Sequence, residues 1–173
     1  ARSLMVGISI KITLPKKKYA DAKWNEQIAR YQRSHSVPIL KALFQKTVFG
    51  WKEKPTFGYV QIRSANTITI RMYPTGAAAE IWQLVNEGSP EHWIFPKKQG
   101  GMLRFQKGYR SATVPGSLQS RRAYRSNPVW ESKGLWHKGF KARNFTKLIE
   151  REYKKNFAKD MQEAIKIAAK EWL

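Results

Sequence analysis

Apolar and polar residues alternate near the start of the chain. The apolar positions of this run are Val6, Ile8, Ile10, Ile12 and Leu14. A period of two places them on one face of an extended chain, which is typical of a strand with one buried side. The pattern therefore predicts a strand over residues 5–14, which Pro15 and the lysines after it bring to an end.

The spacing then changes to that of helices. Apolar residues at steps of four and three are Trp24, Ile28 and Tyr31. They predict a helix over residues 19–34 with one apolar face. A second helix is expected to begin at Ser36 as its N-cap, with Pro38 in its first turn, and to end at Gly50.

Two more alternating runs follow, at residues 57–63 and 67–73. Three residues, 64–66, join them, and a connection this short predicts a β-hairpin. After the hairpin, the run AAAEIWQLVN predicts a short helix over residues 77–86. Gly88 is its expected stop.

The segment HWIFPKKQGGMLRF predicts two short strands, WIFP and MLRF, with a turn between them. Pro96 and the glycine pair at 100 and 101 suit that turn. The side chains expected to pack this hairpin are Trp93, Ile94, Leu103 and Phe105.

Residues 106–134 are rich in Gly, Ser, Pro and Arg and show no helical period. A segment this long without its own pattern is functional or mobile. We interpret it as an extended arm or β-loop of the same domain, because apolar framework resumes on both sides.

The last part of the chain predicts a long helix, capped by Asn144 and running to about residue 171. Its apolar stripe is Phe145, Ile149, Tyr153, Phe157, Met161, Ile165, Ala168 and Trp172. Taken together, the patterns predict one α+β domain over residues 1–173. An antiparallel β-sheet packs against N-terminal helices and a long C-terminal helix, and an Arg-rich arm extends from it.

The net charge limits the kinds of partner that the chain can have but does not identify one. The chain has 33 Lys and Arg against 12 Asp and Glu, a formal net charge of +21. Such a charge attracts polyanions, and its sign fits nucleic acid, a membrane surface or an acidic protein face. No apolar run is long enough to span a membrane, and the N-terminus is too polar for a signal peptide. We therefore expect a cytoplasmic site of synthesis and no membrane partner.

Candidate chemistry is sparse. The chain has no Cys, which excludes disulfides, thiolate metal sites and a Cys nucleophile. His92 lies near Glu87, Ser89 and Glu91 in sequence, but adjacency alone does not supply the geometry of a catalytic site. The spacing of His35, His92 and His137 matches no ligand pattern. We expect no enzyme activity, no cofactor and no metal; a ribonuclease-like use of His92 is the weakest alternative.

Candidate contact residues lie in and around the arm, where Arg alternates with aromatic residues, a pattern typical of nucleic-acid contact and of protein interfaces. The expected subunit or ring contacts are Tyr109, Arg110, Arg121, Arg122, Tyr124, Arg125, Trp130 and Trp136. The expected contacts to DNA or an acidic partner are Lys97, Lys98, Arg104, Lys138, Lys141 and Arg143.

Three motifs resemble the gene-product-10-like tail-component family of tailed bacteriophages. Residues 85–96 match its helix and y-G-T-x-x-H-x-I-x-P turn, and residues 101–105 match its K-x-L-x-F strand. Its H-P-G-x-x-A-x-P-F motif is matched by His137, Gly139, Ala142 and Phe145. Where the family has Thr, Pro and Pro, this chain has Ser89, Lys138 and Asn144.

The resemblance implies a structural protein of the virion neck or upper tail, assembled in the bacterial cytoplasm and without catalytic residues. It implies a homo-oligomeric ring of six or twelve copies, in contact with neighbouring neck and tail proteins. Double-stranded DNA in the lumen is a further partner in this view. The alternative is a basic nucleic-acid-binding protein with no role in the virion.

Overall fold

The computed structural model describes residues 7–13, 22–64, 67–106, 112–119 and 129–170, and the α+β class is confirmed in them. The strands are β1 (Ile8–Thr13), β2 (Thr56–Ser64), β3 (Thr67–Thr75), β4 (His92–Ile94), β5 (Leu103–Gln106), β6 (Val129–Ser132) and β7 (Leu135–His137). The helices are α1 (Ala22–Tyr31), α2 (Val37–Thr47), α3 (Ala79–Glu87) and α4 (Phe145–Lys170). Within these described ranges, no helix is long and apolar enough to cross a membrane.

The main sheet is antiparallel, with β3 in the centre between β1 and β2. Alternation in β3 turns Ile68, Ile70 and Met72 toward the helices, where all three are buried. The predicted hairpin of β2 and β3 is confirmed, but Ser64 pairs with Thr67 and so belongs to the strand instead of the loop.

Trp82 of α3 is the centre of the larger core. Its ring is fully buried and packs against Phe44 of α2, Phe57 of β2 and Phe145 of α4. The indole N–H donates to Thr47 Oγ1 at 3.0 Å, so the polar atom of this large ring has a partner in the interior. Helices from three parts of the sequence thereby meet on one side of the sheet.

A second cluster joins α1 to the last turns of α4. Trp24 and Ile28 of α1 pack with Ile68 of β3 and Ala168 of α4. In the part of α4 that belongs to the larger core, burial raises the pKa of the Tyr153 phenol above its ordinary value, because the charged form is poorly solvated there.

Ser36 does not cap α2, contrary to the prediction. Residues Gln32–Ser36 form a π-helical turn that joins α1 to α2 without a break, and Ser36 has helical dihedrals and no capping hydrogen bond. The wider turn accommodates Pro38, which has no N–H to donate, so the helix continues where the sequence indicated a new start.

The predicted stripe of α4 is correct to Met161 and wrong at Ile165. Ala164 is buried in its place, and Ile165 is exposed. A helix has 3.6 residues per turn, so repeated steps of four rotate the stripe around the helix until a step of three restores it. Trp172 lies outside the described residues.

Candidate functional site: a clamped β-ribbon

A two-stranded ribbon leaves the body between α3 and α4. Strand β4 pairs with β7 and β5 pairs with β6, both antiparallel. The prediction that WIFP and MLRF pair with each other is wrong, because WIFP pairs with β7 and MLRF pairs with β6. Residues 92–106 therefore run outward and residues 129–137 return beside them.

The two strands of the ribbon differ in length. Near the base Trp93 lies opposite Trp136, and farther out Arg104 lies opposite Glu131. Between the two paired sections, residues 95–102 on the outgoing strand face only residues 133 and 134 on the return. The extra residues carry Phe95, Lys97 and Lys98, so the additional length lies beside the aromatic residues.

Backbone hydrogen bonds close the base of the ribbon. Ser89 and Phe140 exchange two N–H···O=C bonds of 3.0 Å, and Asn144 N donates to Asn86 O at 3.0 Å. The Asn86 side chain also accepts from Thr146 N at 3.1 Å, at the first turn of α4. We call these contacts, together with that of Arg143 N to Val85 O, the clamp.

The cap of α4 therefore comes from α3. The predicted cap, Asn144, has a positive φ of 53°, and among the described residues its side chain donates to Ala142 O alone, at 3.4 Å. Asn86 is buried and takes its place by accepting an N–H of the first turn. Asn144 instead supplies the left-handed turn that brings the chain to α4, a conformation that Asn tolerates well.

Two glycines allow the two chain segments that form the clamp to approach each other. Gly88 and Gly139 have φ of 84° and 70°. A Cβ at Gly88 would lie 2.6 Å from Ala142 N, and one at Gly139 would overlap the Ser89 carbonyl oxygen. Both positions need glycine for conformation and for space.

Aromatic side chains are exposed on the ribbon just above the clamp. The indoles of Trp93 and Trp136 meet edge to face with centroids 5.5 Å apart, and Phe95 stacks on Trp93 at 5.9 Å. Their exposed fractions are 57% for Trp93, 44% for Trp136 and 64% for Phe95. We call these three residues the aromatic cluster. Large exposed aromatic residues that support one another are typical of an interface anchor.

His92 and Ser89 come within 3.2 Å, but they do not form a base and nucleophile through that contact. His92 Nδ1 lies 2.8 Å from the Pro90 carbonyl oxygen, which only accepts, so Nδ1 carries a proton. The Ser89 hydroxyl itself donates to the same carbonyl at 3.1 Å. In this tautomer the Ser89 hydroxyl cannot pass its proton to Nδ1.

The histidines do not converge. His92 and His137 are cross-strand neighbours with ring centroids 5.3 Å apart, while His35 stacks on Tyr31 in the α1 region. His137 Nδ1 accepts from Gly139 N at 3.0 Å and so helps to fix the clamp. Across the described ranges, no group of three or more His, Asp or Glu side chains is placed to hold a metal ion.

The predicted basic contacts have different surroundings. Lys97, Lys98, Lys138 and Lys141 are exposed. Arg104 forms an ion pair of 2.7 Å with Glu131 across the ribbon. Arg143 is half-buried, and its Nε donates to Thr113 Oγ1 at 3.1 Å. This side chain therefore makes a contact within the chain, between residue 113 of the arm and the segment before α4.

Part of the predicted arm returns to the body. Ala112 and Thr113 are buried, and Leu118 packs against the larger core. An open groove of about 700 Å³ lies between residues 116–119, α2 and α4. A hydrogen bond from Lys155 lowers the pKa of Glu152 on its wall. The central part of the arm is therefore attached to the helices.

Several predicted contact residues lie outside the described residues: Tyr109, Arg110, Arg121, Arg122, Tyr124 and Arg125. Trp130 lies in β6 opposite Phe105. Of the predicted ring contacts, Trp136 is placed in the aromatic cluster with Trp93 and Phe95.

Sequence patterns did not identify Asn86 as a functional residue. Its partner Thr146 is distant in the chain, and a buried polar residue in a short helix gives no local signal of that bond. The exposed side of α3 was also missed, because Ile81 and Leu84 look like core residues. They are 49% and 50% exposed.

Comparison with known proteins does not assign this chain to a class: no family model, no curated protein and no solved structure matches it.

Proposed function

We propose that this chain is a structural subunit of a tailed-bacteriophage virion. In this proposal it belongs to the neck, where it completes the tail or connects the tail to the head as one member of an oligomeric ring. The ribbon is the contact element, and the α+β body positions it.

The clamp carries this proposal. Two motifs that resemble the phage tail-component family, V-N-E-G-S and H-x-G-x-x-A, are far apart in the sequence. Gly88 and Ser89 of the first lie directly against Gly139, Phe140 and Ala142 of the second. The residues of the resemblance therefore have a shared physical purpose, which is to fix the direction of a projecting ribbon. A rigid projecting contact element suits a subunit that must meet its neighbours at a set angle.

The surface of the ribbon agrees with a role in assembly. It presents the aromatic cluster beside exposed lysines, including Lys97 and Lys98. Anchors of this kind supply much of the binding energy in protein interfaces, and the surrounding charges select the partner. The partners proposed for these charges are acidic faces of neighbouring neck and tail proteins, with double-stranded DNA in the lumen as a second polyanion.

Deletion of the gene from the phage that encodes it tests the proposal. We expect filled heads and separate tails in electron micrographs, with infectivity restored by the wild-type chain supplied in trans. Supply of a Trp93→Ala, Trp136→Ala variant should not restore it. Complete, infectious particles from the deletion phage would overturn the proposal.

A second candidate is a nucleic-acid-binding protein without a virion role. Residues 92–130 contain eight Lys and Arg and no acidic residue, which favours phosphate contact. This candidate predicts that the isolated monomer binds short duplex DNA and that log K falls linearly with log salt. Absence of DNA binding at low salt would exclude it.

A further inference from the structure

The exposed side of α3 is apolar and acidic. Glu80, Ile81, Leu84 and Glu87 are all exposed and follow one another at steps of one, three and three, so they share one side of the helix. Trp82 and Asn86 face the body and are buried. We call the four exposed residues the α3 face.

The charges of the α3 face are unusual in this molecule. Residues 77–91 contain three Glu and no Lys or Arg, although the whole chain has a net charge of +21. Among the described residues, the ion pairs use Glu26, Glu131, Glu150, Glu152 and Glu163. The glutamates of the α3 face are thus not neutralised by ion pairs in the described part of the chain.

The ribbon has the opposite character. Residues 92–140 contain ten Lys and Arg and a single acidic residue, Glu131. Glu131 is paired with Arg104, which leaves Lys97, Lys98 and Lys138 exposed near the aromatic cluster. One surface is therefore apolar with an acidic border, and the other is aromatic with a basic border.

We propose that the aromatic cluster of one copy docks on the α3 face of a second copy. Within one molecule both surfaces are exposed, so the ribbon does not cover the α3 face of its own chain. Burial of Trp93 and Trp136 against Ile81 and Leu84 would remove apolar area from water, and the lysines would meet the glutamates.

The proposed contact is head to tail, because the two surfaces of the pair differ. Such a contact leaves one ribbon and one α3 face unused at the ends, so it continues to a closed ring or a filament. This inference rests on the proposed function, because the docking contact would join the subunits of the proposed ring.

The test mixes two variants of the full chain. The ribbon variant carries Trp93→Ala and Trp136→Ala, and the face variant carries Ile81→Gln and Leu84→Gln. At physiological salt we expect the wild type to form oligomers in light scattering. Each variant alone should lose at least about tenfold in association constant. An equimolar mixture should form one-to-one pairs and nothing larger, because each partner keeps one intact surface.

Charge reversal provides a second test of the same contact. Glu80→Lys with Glu87→Lys should abolish oligomers, and adding Lys97→Glu with Lys98→Glu in the same chain should restore them. Controls of matched chemistry are Ile39→Gln and Lys41→Glu on α2, which are exposed and lie outside both surfaces. Circular dichroism checks that every variant is folded.

The outcomes separate the two proposals. Oligomers that persist in both variants would overturn the docking contact and leave the neck role intact. A wild type that stays monomeric at high concentration would also overturn the contact. A variant that stays monomeric but binds an unrelated acidic protein would show that this protein, and not a second copy, is the partner. The gene-deletion phenotype decides the neck role independently of these results.

Discussion

At the scale of single residues, Asn86 of α3 binds Thr146 of α4, which is sixty positions away in the sequence. Its side chain accepts the N–H of Thr146, and its backbone carbonyl accepts that of Asn144. This one residue, in the last turn of α3, therefore caps the first turn of α4 and fixes the base of the ribbon.

Asn86→Ala should lower the free energy of unfolding by about 1–2 kcal/mol, because it leaves a first-turn N–H of α4 without its partner. Chemical denaturation measures the change. Asn144→Gly is the matched control: it keeps the positive φ and removes only a side chain with one weak bond. Its effect should be within a few tenths of a kcal/mol. A larger loss in the control than in Asn86→Ala would assign the cap to Asn144.

Gly139→Ala should open the base of the ribbon, because the new methyl group overlaps the Ser89 carbonyl oxygen. We expect tryptophan fluorescence to report greater solvent exposure around Trp93 and Trp136, together with a loss of stability. Gly100→Ala separates strain from overlap, since Gly100 has a similar φ of 75° and no neighbour within 4 Å of a new Cβ. Equal effects of the two substitutions would mean that backbone strain alone, about 1 kcal/mol, explains the loss.

At the scale of elements, residues 112–119 of the predicted arm are attached to the body. Its contacts are local to the body: Thr113 receives a hydrogen bond from Arg143, and Leu118 lies against the core. Removal of the whole arm would therefore uncover part of the body as well as remove β6 from the ribbon.

Arg143→Ala should release this segment. We expect hydrogen exchange in residues 112–119 to accelerate several-fold while α2 and α4 stay protected, with a loss of about 1 kcal/mol in stability. Lys141→Ala, two positions away and exposed, serves as the control and should change neither quantity. Unchanged exchange in Arg143→Ala would mean that packing of Leu118 alone holds the segment.

The sequence predicted the elements whose signals are local. The period of β3, the spacing in α1 and the stop at Gly88 needed only neighbouring residues, and all three are confirmed. The pairing of β4 with β7 was beyond such reasoning, because proximity along the chain favoured β5 as the partner. The Asn86 cap was missed because its partner, Thr146, is also distant in the sequence.

At the scale of the whole molecule, the charge of +21 acts against the fold. Like charges on a folded chain repel each other, and salt screens this repulsion as the Debye length falls from about 30 Å at 0.01 M to about 8 Å at 0.15 M. The α3 face, which carries Glu80 and Glu87, is a local exception to this positive charge.

We therefore expect the thermal midpoint of the monomeric ribbon variant to rise by several degrees between 0.01 M and 0.15 M salt. Scanning calorimetry measures it. A variant with Lys41, Lys52 and Lys54 changed to Gln has a lower net charge and should respond less. A midpoint that falls with salt would show that exposed ion pairs, such as that of Lys154 with Glu150, outweigh the repulsion.

The clamp also sets an order of events during synthesis. A ribosome adds roughly 5 to 20 residues per second, so Thr146 follows Asn86 by roughly 3 to 12 seconds. By the end of that interval the nascent chain carries Trp93 and Trp136 but still lacks the first turn of α4 that closes the base. A polypeptide that terminates before Thr146 thus lacks the side-chain contact of Asn86 that closes the clamp.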